Sequence, residues 1–212
     1  MFVSSFENRS AAGRRLADQL SDYTHRDDVV VLALPRGGLP VAAEVTRQLG
    51  LQLDVMLVRK IGFPGHPEYG IGAISEHQVE VIDQARIAQL GTTTDQLQES
   101  ISAERQELER RLEIYRQGRS LPNLTDKTVL LVDDGVATGV TMKAAVESAR
   151  KLGAAEVVVA VPVCAADSAA ELRARADRLV CLLEPANLRA VGQYYQQFDQ
   201  LNDDQVVKFL SN

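Results

Sequence analysis

Apolar residues along this chain gather in short unbroken runs. Each run is followed by a stretch in which apolar positions recur every three or four residues. Residues 28–34 (DVVVLAL), 51–58, 128–132, 156–163 and 178–183 have the first pattern and read as strands. Residues 40–49, 140–152 and 167–176 have the second and read as helices. Pro40 sits in the first turn of its helix, Gly50 stops it, and Gly153 closes the next. Unbroken Val/Leu runs, rather than alternation, predict strands covered on both faces. Their alternation with helices predicts crossover connections. The expected fold class is α/β: a Rossmann-like, mostly parallel twisted sheet flanked by helices.

The middle of the chain breaks this rhythm. Residues 71–82 (IGAISEHQVEVI) read as a hairpin turning near Glu76 and His77. A long polar helix follows over 94–117, started by Thr93 and Gln96 at capping-box spacing. Ile101, Leu108, Leu112 and Tyr115 form its single apolar stripe. The stripe is too brief for a coiled coil, so the helix is expected to pack on its own sheet. After Glu184 the strand–helix rhythm stops, and three of the chain's ten Phe and Tyr residues fall within 194–198. This tail is expected to form a small hood or lid together with an N-terminal helix over 11–20. The organisation expected is one domain over 1–212, with a core at about 28–184, a hood from about 1–27 and 185–212, and a hairpin-plus-helix insertion at about 71–120.

Composition narrows the classes. With 212 residues, 45% hydrophobic and 25% charged, the chain can bury a full core. A net charge of -6 argues against a nucleic-acid surface. No apolar run suggests a membrane span or a signal peptide. Cys164 and Cys181 sit inside apolar runs without metal-ligand spacing, which predicts buried, reduced thiols and a cytoplasmic protein.

The chemistry concentrates in VLLVDDGVATGVTM, residues 129–142. A buried strand runs into Asp133 and Asp134, and a turn of small residues then opens a helix. Such a turn offers unpaired backbone N–H groups and the positive end of the helix dipole, so an anion is favoured there. Thr138 and Thr141 add hydroxyl donors. The spacing fits neither a Walker loop nor a dinucleotide-binding glycine loop. Two adjacent carboxylates repel, and vicinal sugar hydroxyls or a divalent cation would offset that cost. Phosphate on one side and hydroxyls on the other describe a ribose 5-phosphate.

The stretch resembles the signature of type I phosphoribosyltransferases: four apolar residues, two acids, a small-residue turn, then T-G-x-T. The resemblance implies that Asp133 and Asp134 hold the ribose hydroxyls of phosphoribosyl pyrophosphate, directly or with Mg²⁺ through water. It implies that Ala137, Thr138, Gly139, Val140 and Thr141 cradle the 5-phosphate. Two further stretches agree with it. Pro35-Arg36-Gly37-Gly38 joins a strand to a helix and resembles the family's pyrophosphate loop, with Arg36, Gly37 and Gly38 as pyrophosphate ligands. Arg59 and Lys60 leave another strand ahead of Gly- and Pro-rich residues 62–72, which resemble the family's mobile loop; both cations would hold the leaving pyrophosphate and serve catalysis with the two acids. His66 in that loop is a candidate acid. The implied reaction transfers ribose 5-phosphate to a nitrogenous, purine-like base, as in nucleotide salvage, with Mg²⁺ as cofactor and a homodimer as assembly.

One position departs from part of the family. Hypoxanthine–guanine members carry an acid where this chain has Ala137, so the acceptor stays open. The base pocket is expected around Glu184, Pro185, Tyr194 and Tyr195, where a tyrosine ring could stack on a base. Two alternatives share the same site: a non-catalytic sensor of phosphoribosyl pyrophosphate or a nucleotide, and a ribose-phosphate phosphorylase or hydrolase. Fold alone does not separate them.

Overall fold

The computed structural model of the chain describes residues 5–76, 79–91 and 93–210. His77, near which the sequence places a hairpin turn, lies outside them. In chain order come α1 (Arg9–Asp18), β1 (Val29–Ala33), α2 (Gly38–Leu49), β2 (Gln52–Val55), β3 (Val58–Phe63), β4 (His66–Ser75) and β5 (Glu80–Ile82). Then follow α3 (Gln84–Leu90), α4 (Thr94–Arg116), β6 (Thr128–Val132), α5 (Val140–Lys151), β7 (Glu156–Val163), α6 (Ala166–Arg173), β8 (Arg178–Leu183) and α7 (Asp203–Leu210).

Five strands form an entirely parallel sheet in the order β2-β1-β6-β7-β8. Successive side chains of a strand face opposite ways, and both faces are apolar here. Val31, Ala33, Leu130, Val132, Val158 and Ala160 pack with α1, α2 and α4 through Leu16, Val45 and Leu108. Their neighbours Val30, Leu32, Val129, Leu131, Val157 and Val159 pack with α5 and α6 through Met142, Ala145 and Leu172. This is the two-sided burial that the unbroken apolar runs predict. The N-terminal helix, expected in the hood, lies in the helix layer instead: Leu16 and Ala17 of α1 are fully buried in the main core.

The run over 51–58 is two strands, not one. β2 stays in the parallel sheet, Met56 and Leu57 are buried, and β3 turns away to begin a second sheet, β3-β4-β5. A continuous apolar run does not mark where a strand changes partners, because Met56 and Leu57 stay buried through the passage. The Gly-rich stretch 62–72, expected as a mobile loop, is for the most part strand: β3 and β4 pair antiparallel from Val58–Ser75 to Phe63–His66, with register shifts at Gly62. Gly72 serves close packing, since a Cβ there would lie 2.6 Å from the carbonyl oxygen of Val81 on β5.

The long helix α4 braces this hairpin sheet. Its capping box is formed: the Gln96 N–H donates to Thr93 Oγ1, and the Thr93 N–H to Gln96 Oε1. Arg59 of β3 pairs with Glu104 at 2.7 Å, and Arg105 pairs with Glu80 of β5 at 2.5 Å. At its end Arg116 is 7% exposed and donates two hydrogen bonds to buried Glu76, both of 2.9 Å. It also reaches Asp54 at 2.9 Å and the Val55 carbonyl at 2.7 Å, so one guanidinium ties α4 to β2 and to the residue after β4. The Glu76 carboxylate completes the knot by accepting from the Leu57 N–H at 3.0 Å.

Candidate functional site

The site is set by register. Ala33 of β1 lies beside Val132 of β6, and Val132 beside Ala160 of β7, so the loops leaving β1 and β6 emerge side by side at the carboxyl edge of the sheet. Open α/β sheets bind ligands at that edge. The Leu34 N–H donates to the Val132 carbonyl at 2.8 Å, which extends the pairing into the loops.

The loop after β1 is Pro35-Arg36-Gly37-Gly38, with a cis peptide between Pro35 and Arg36. Gly37 and Gly38 are required by contact. A Cβ on Gly37 would sit 2.1 Å from Asp134 Oδ2, and one on Gly38 2.6 Å from the Val132 carbonyl oxygen. The structure thus presses the two glycines onto the two acids. Arg36 leans the other way, with Nη1 3.7 Å from Asp203 Oδ1 at the start of α7. Asp203 also accepts from the Tyr115 hydroxyl of α4.

After β6 the chain gives Asp133 and Asp134. Asp133 Oδ1 accepts from the Asp134 N–H at 2.8 Å. Burial pushes the Asp133 carboxyl well above the usual carboxylate range, and the neighbouring Asp134 charge adds to it. Asp134 is also raised by burial, against the opposing pull of Arg9. Arg9, the first residue of α1, was not singled out by sequence reasoning. Its Nε lies 2.7 Å from Asp134 Oδ2, and both side chains are nearly enclosed. The two residues are 125 positions apart, and no local pattern signals a pairing over that distance.

The turn over 135–139 leads into α5. Gly139 has φ 71°, a left-handed conformation that suits glycine, and its carbonyl accepts the first helical bond from the Lys143 N–H at 2.8 Å. Ala137 and Thr138 are exposed, and the Ala137 carbonyl is held by Ser168 Oγ at 2.6 Å. The first N–H groups of a helix have no partner within the helix. The turn over 137–139 and the first residues of α5, Val140 and Thr141, therefore form one continuous stretch at the helix start.

The Arg59–Lys60 pair is divided. Neighbours in a strand point to opposite faces, and Arg59 is spent on Glu104 of α4. The stem of Lys60 runs along Gly70, where a Cβ would be 3.1 Å from Lys60 Cδ and 3.7 Å from Val140 Cγ2. Lys60 thereby faces the start of α5. A cavity of about 470 Å³ opens alongside, lined by Gly70, Gly72, Thr138, Val140 and Lys143. A larger one of about 650 Å³ lies between Thr46, Leu53 and Phe209, at the opposite edge of the sheet and away from the acids. His66 is exposed at the hairpin tip, stacked on Phe63 with centroids 6.1 Å apart.

The expected base pocket disperses. Glu184 pairs with Arg173, and the Pro185 carbonyl accepts from the Ala166 N–H at 3.2 Å. Tyr195 is buried between Phe6 and Phe198, with centroids at 5.5 and 5.0 Å, and its hydroxyl donates to the Asp134 carbonyl at 2.6 Å. It anchors the hood to the acid loop and offers no open ring face, because the rings that pack it come from the same lobe. Tyr194 stays partly exposed in that small cluster. Burial likewise raises both thiols, Cys164 to about 11 and Cys181 to about 12, consistent with inert cysteines.

Comparison with known proteins gives the family. The model of the phosphoribosyl transferase domain matches residues 3–197. The chain belongs to the phosphoribosyl transferase domain family. It is 46% identical over 207 residues to a Mycobacterium tuberculosis protein named "Putative phosphoribosyl transferase Rv0571c". That match covers 97% of this chain and 46% of the relative, so the chain spans about half the length of the curated relatives it matches. Among solved structures, TT1426 from Thermus thermophilus superposes with a TM-score of 0.83 at 40% identity, covering 97% of each chain. AQ2163 from Aquifex aeolicus shares the fold, with a TM-score of 0.53 at 13% identity over 87% of this chain and 78% of its own. Among the described residues, no helix is long and apolar enough to cross a membrane.

Proposed function

We propose that the chain transfers ribose 5-phosphate from phosphoribosyl pyrophosphate to a nitrogenous, purine-like base and releases pyrophosphate. The observation that carries the reading is the convergence of Asp133 and Asp134 with the turn opening α5, under the Gly37-Gly38 loop. Backbone N–H groups of 137–141 and the hydroxyls of Thr138 and Thr141 hold the 5-phosphate. Asp133 and Asp134 accept hydrogen bonds from the ribose hydroxyls. Lys60, which faces α5, and Arg36, which reaches only a long contact with Asp203, hold the leaving pyrophosphate. Arg59, committed to Glu104, holds the hairpin that carries Lys60.

The donors fit Mg²⁺. Two carboxylates at the sheet edge are hard oxygen ligands, and magnesium needs only one or two of them when substrate oxygens and water complete its shell. Among the described residues no cluster of three or more His, Cys, Asp or Glu could hold a metal alone. Asp133 and Asp134 would hold the ion, directly or through water, and it would neutralise pyrophosphate charge when bound.

In the reaction the C1–O bond to pyrophosphate breaks and its electron pair leaves with pyrophosphate, while the acceptor nitrogen forms the new bond to C1 and its proton passes to the departing pyrophosphate or to water. The sugar gains oxocarbenium character, so the chain's work is positioning, charge stabilisation and exclusion of water. Ala137 offers no carboxylate to the acceptor, which disfavours chemistry that depends on an acid in the turn. The test is a base screen. Protein, Mg²⁺ and phosphoribosyl pyrophosphate are incubated with pooled bases, and nucleotide and pyrophosphate are followed by mass spectrometry. A new nucleotide is expected. Tight binding without turnover across a broad pool would favour a sensor instead.

A further inference from the structure

Arg9 is restrained from three directions. Its Nε donates to Asp134 Oδ2 at 2.7 Å, its Nη1 donates to the Asp199 carbonyl at 2.8 Å, and its guanidinium carbon lies 3.7 Å above the centre of the Phe198 ring. Arg9 and Asp134 are 12% and 13% exposed. An ion pair so enclosed loses much of its hydration and is weak evidence of a stabilising role. Joining the two chain ends does not require it. The Phe6 and Tyr195 backbones already bridge as parallel strand, the Phe6 N–H donates to the Tyr194 carbonyl at 2.7 Å, and the Gln196 N–H returns to the Phe6 carbonyl at 2.8 Å.

The two oxygens of Asp134 have unequal surroundings. Oδ2 meets Arg9 and is the atom nearest the Gly37 position, 2.1 Å from a Cβ placed there, against 3.1 Å for Oδ1. Oδ2 is thus enclosed between α1 and the loop after β1. We propose that Arg9 is a positioning residue for the sugar-phosphate site: it fixes Asp134 through Oδ2 and presents Oδ1 to the ribose hydroxyls. The inference rests on the reading of the site as a phosphoribosyl pyrophosphate site. It explains why the cation is arginine. A planar fork can serve a carboxylate and a carbonyl while stacking on a ring, and a lysine ammonium cannot do all three. The arginine also offsets the repulsion between Asp133 and Asp134, because its charge favours the ionised form of both.

The test is calorimetric titration of phosphoribosyl pyrophosphate with Mg²⁺ into the full chain and into Arg9→Ala, Arg9→Lys and Phe198→Leu, with thermal unfolding measured beside it. Arg9→Ala is expected to weaken binding by about tenfold or more, the scale of one lost charge-assisted hydrogen bond. Arg9→Lys should restore only part of the affinity. Millimolar guanidinium should restore part of it in Arg9→Ala and none in the unsubstituted chain, a response that a purely structural role would not produce. Phe198→Leu keeps Arg9 but removes its platform, and should weaken binding by a few-fold; it carries the test should Arg9→Ala fail to fold. Affinity equal to or tighter than wild type in Arg9→Ala, or full affinity in Arg9→Lys, would overturn the inference while leaving the ligand assignment standing. An unsubstituted chain that does not bind phosphoribosyl pyrophosphate would overturn both.

Discussion

Gly37→Ala isolates the contact between the two loops of the site. The backbone of Gly37 is already right-handed, at φ -62° and ψ -32°, so alanine meets no dihedral penalty. On chain entropy alone this substitution should stabilise the protein by about 0.4–1 kcal/mol. Sterically it should do the reverse. The new Cβ would lie 2.1 Å from Asp134 Oδ2 and 2.6 Å from its Cγ. Real Cβ contacts essentially never fall under 3.0 Å, and the carboxylate cannot swing freely because Arg9 grips it. Either the acid or the Gly37 loop must therefore move by about 1 Å, a displacement that can cost about 100-fold in a positioned site. The overpacking itself should cost about 1–3 kcal/mol, which lowers Tm by about 2–4 °C per kcal/mol in a chain of this size. Calorimetric binding of phosphoribosyl pyrophosphate with Mg²⁺, beside a thermal melt, reads both. Expected is a loss of affinity far larger than the loss of stability would explain. Wild-type affinity with a raised Tm would refute the claim that Gly37 is small because Asp134 is there.

Two further outcomes follow from the charges. Arg116→Met leaves the buried Glu76 carboxylate without its cation and should cost about 3–5 kcal/mol, read as a lower urea midpoint; replacing Glu76 with Gln in the same chain should recover part of it. Asp133→Asn should raise the stability of the ligand-free protein near neutral pH, because Asp133 has a folded-state pKa above its unfolded value and its ionised form is penalised in the fold. The gain should shrink as pH falls through that raised pKa and vanish below the unfolded value, where both states are protonated; melts from pH 8 to pH 4 in chelator check this, and a gain that grows on acidification would contradict the sign.

The parallel sheet was legible because its residues carry the information locally. β6, β7 and β8 coincide with the apolar runs over 128–132, 156–163 and 178–183; β6 and β7 are buried almost throughout, and the edge strand β8, though mostly half-buried, keeps the same apolar run. The acid pair and its turn were legible for a different reason: the chemistry of a strand, two carboxylates and a helix start is contiguous in the chain. Three features were not. The run over 51–58 hides the passage from β2 to β3, because Met56 and Leu57 stay buried while the strand changes sheets. The glycines of 62–72 look like flexibility, yet Gly72 is pressed on the β5 backbone. Arg9, Asp203 and the burial of Tyr195 depend on contacts between the two ends of the chain and its centre, and only the folded structure brings those together. The divided Arg59–Lys60 pair shows the limit most clearly. Adjacency in sequence suggests joint action, and the pleat of a strand sends the two side chains apart.

The bracing of the hairpin by α4 carries a consequence for time. Glu104, Arg105 and Arg116 fasten β3, β5 and the end of β4 to a helix of 23 residues. The base of the hairpin can therefore move only if that rod and a buried ion pair move too, an event of the kind that takes microseconds to seconds. The tip around Gly65, where a Cβ would meet nothing within 4 Å, has no such tether among the described residues and can shift on the nanosecond-to-microsecond scale of loops. The hairpin is then a fast tip only a few residues long on a slow frame.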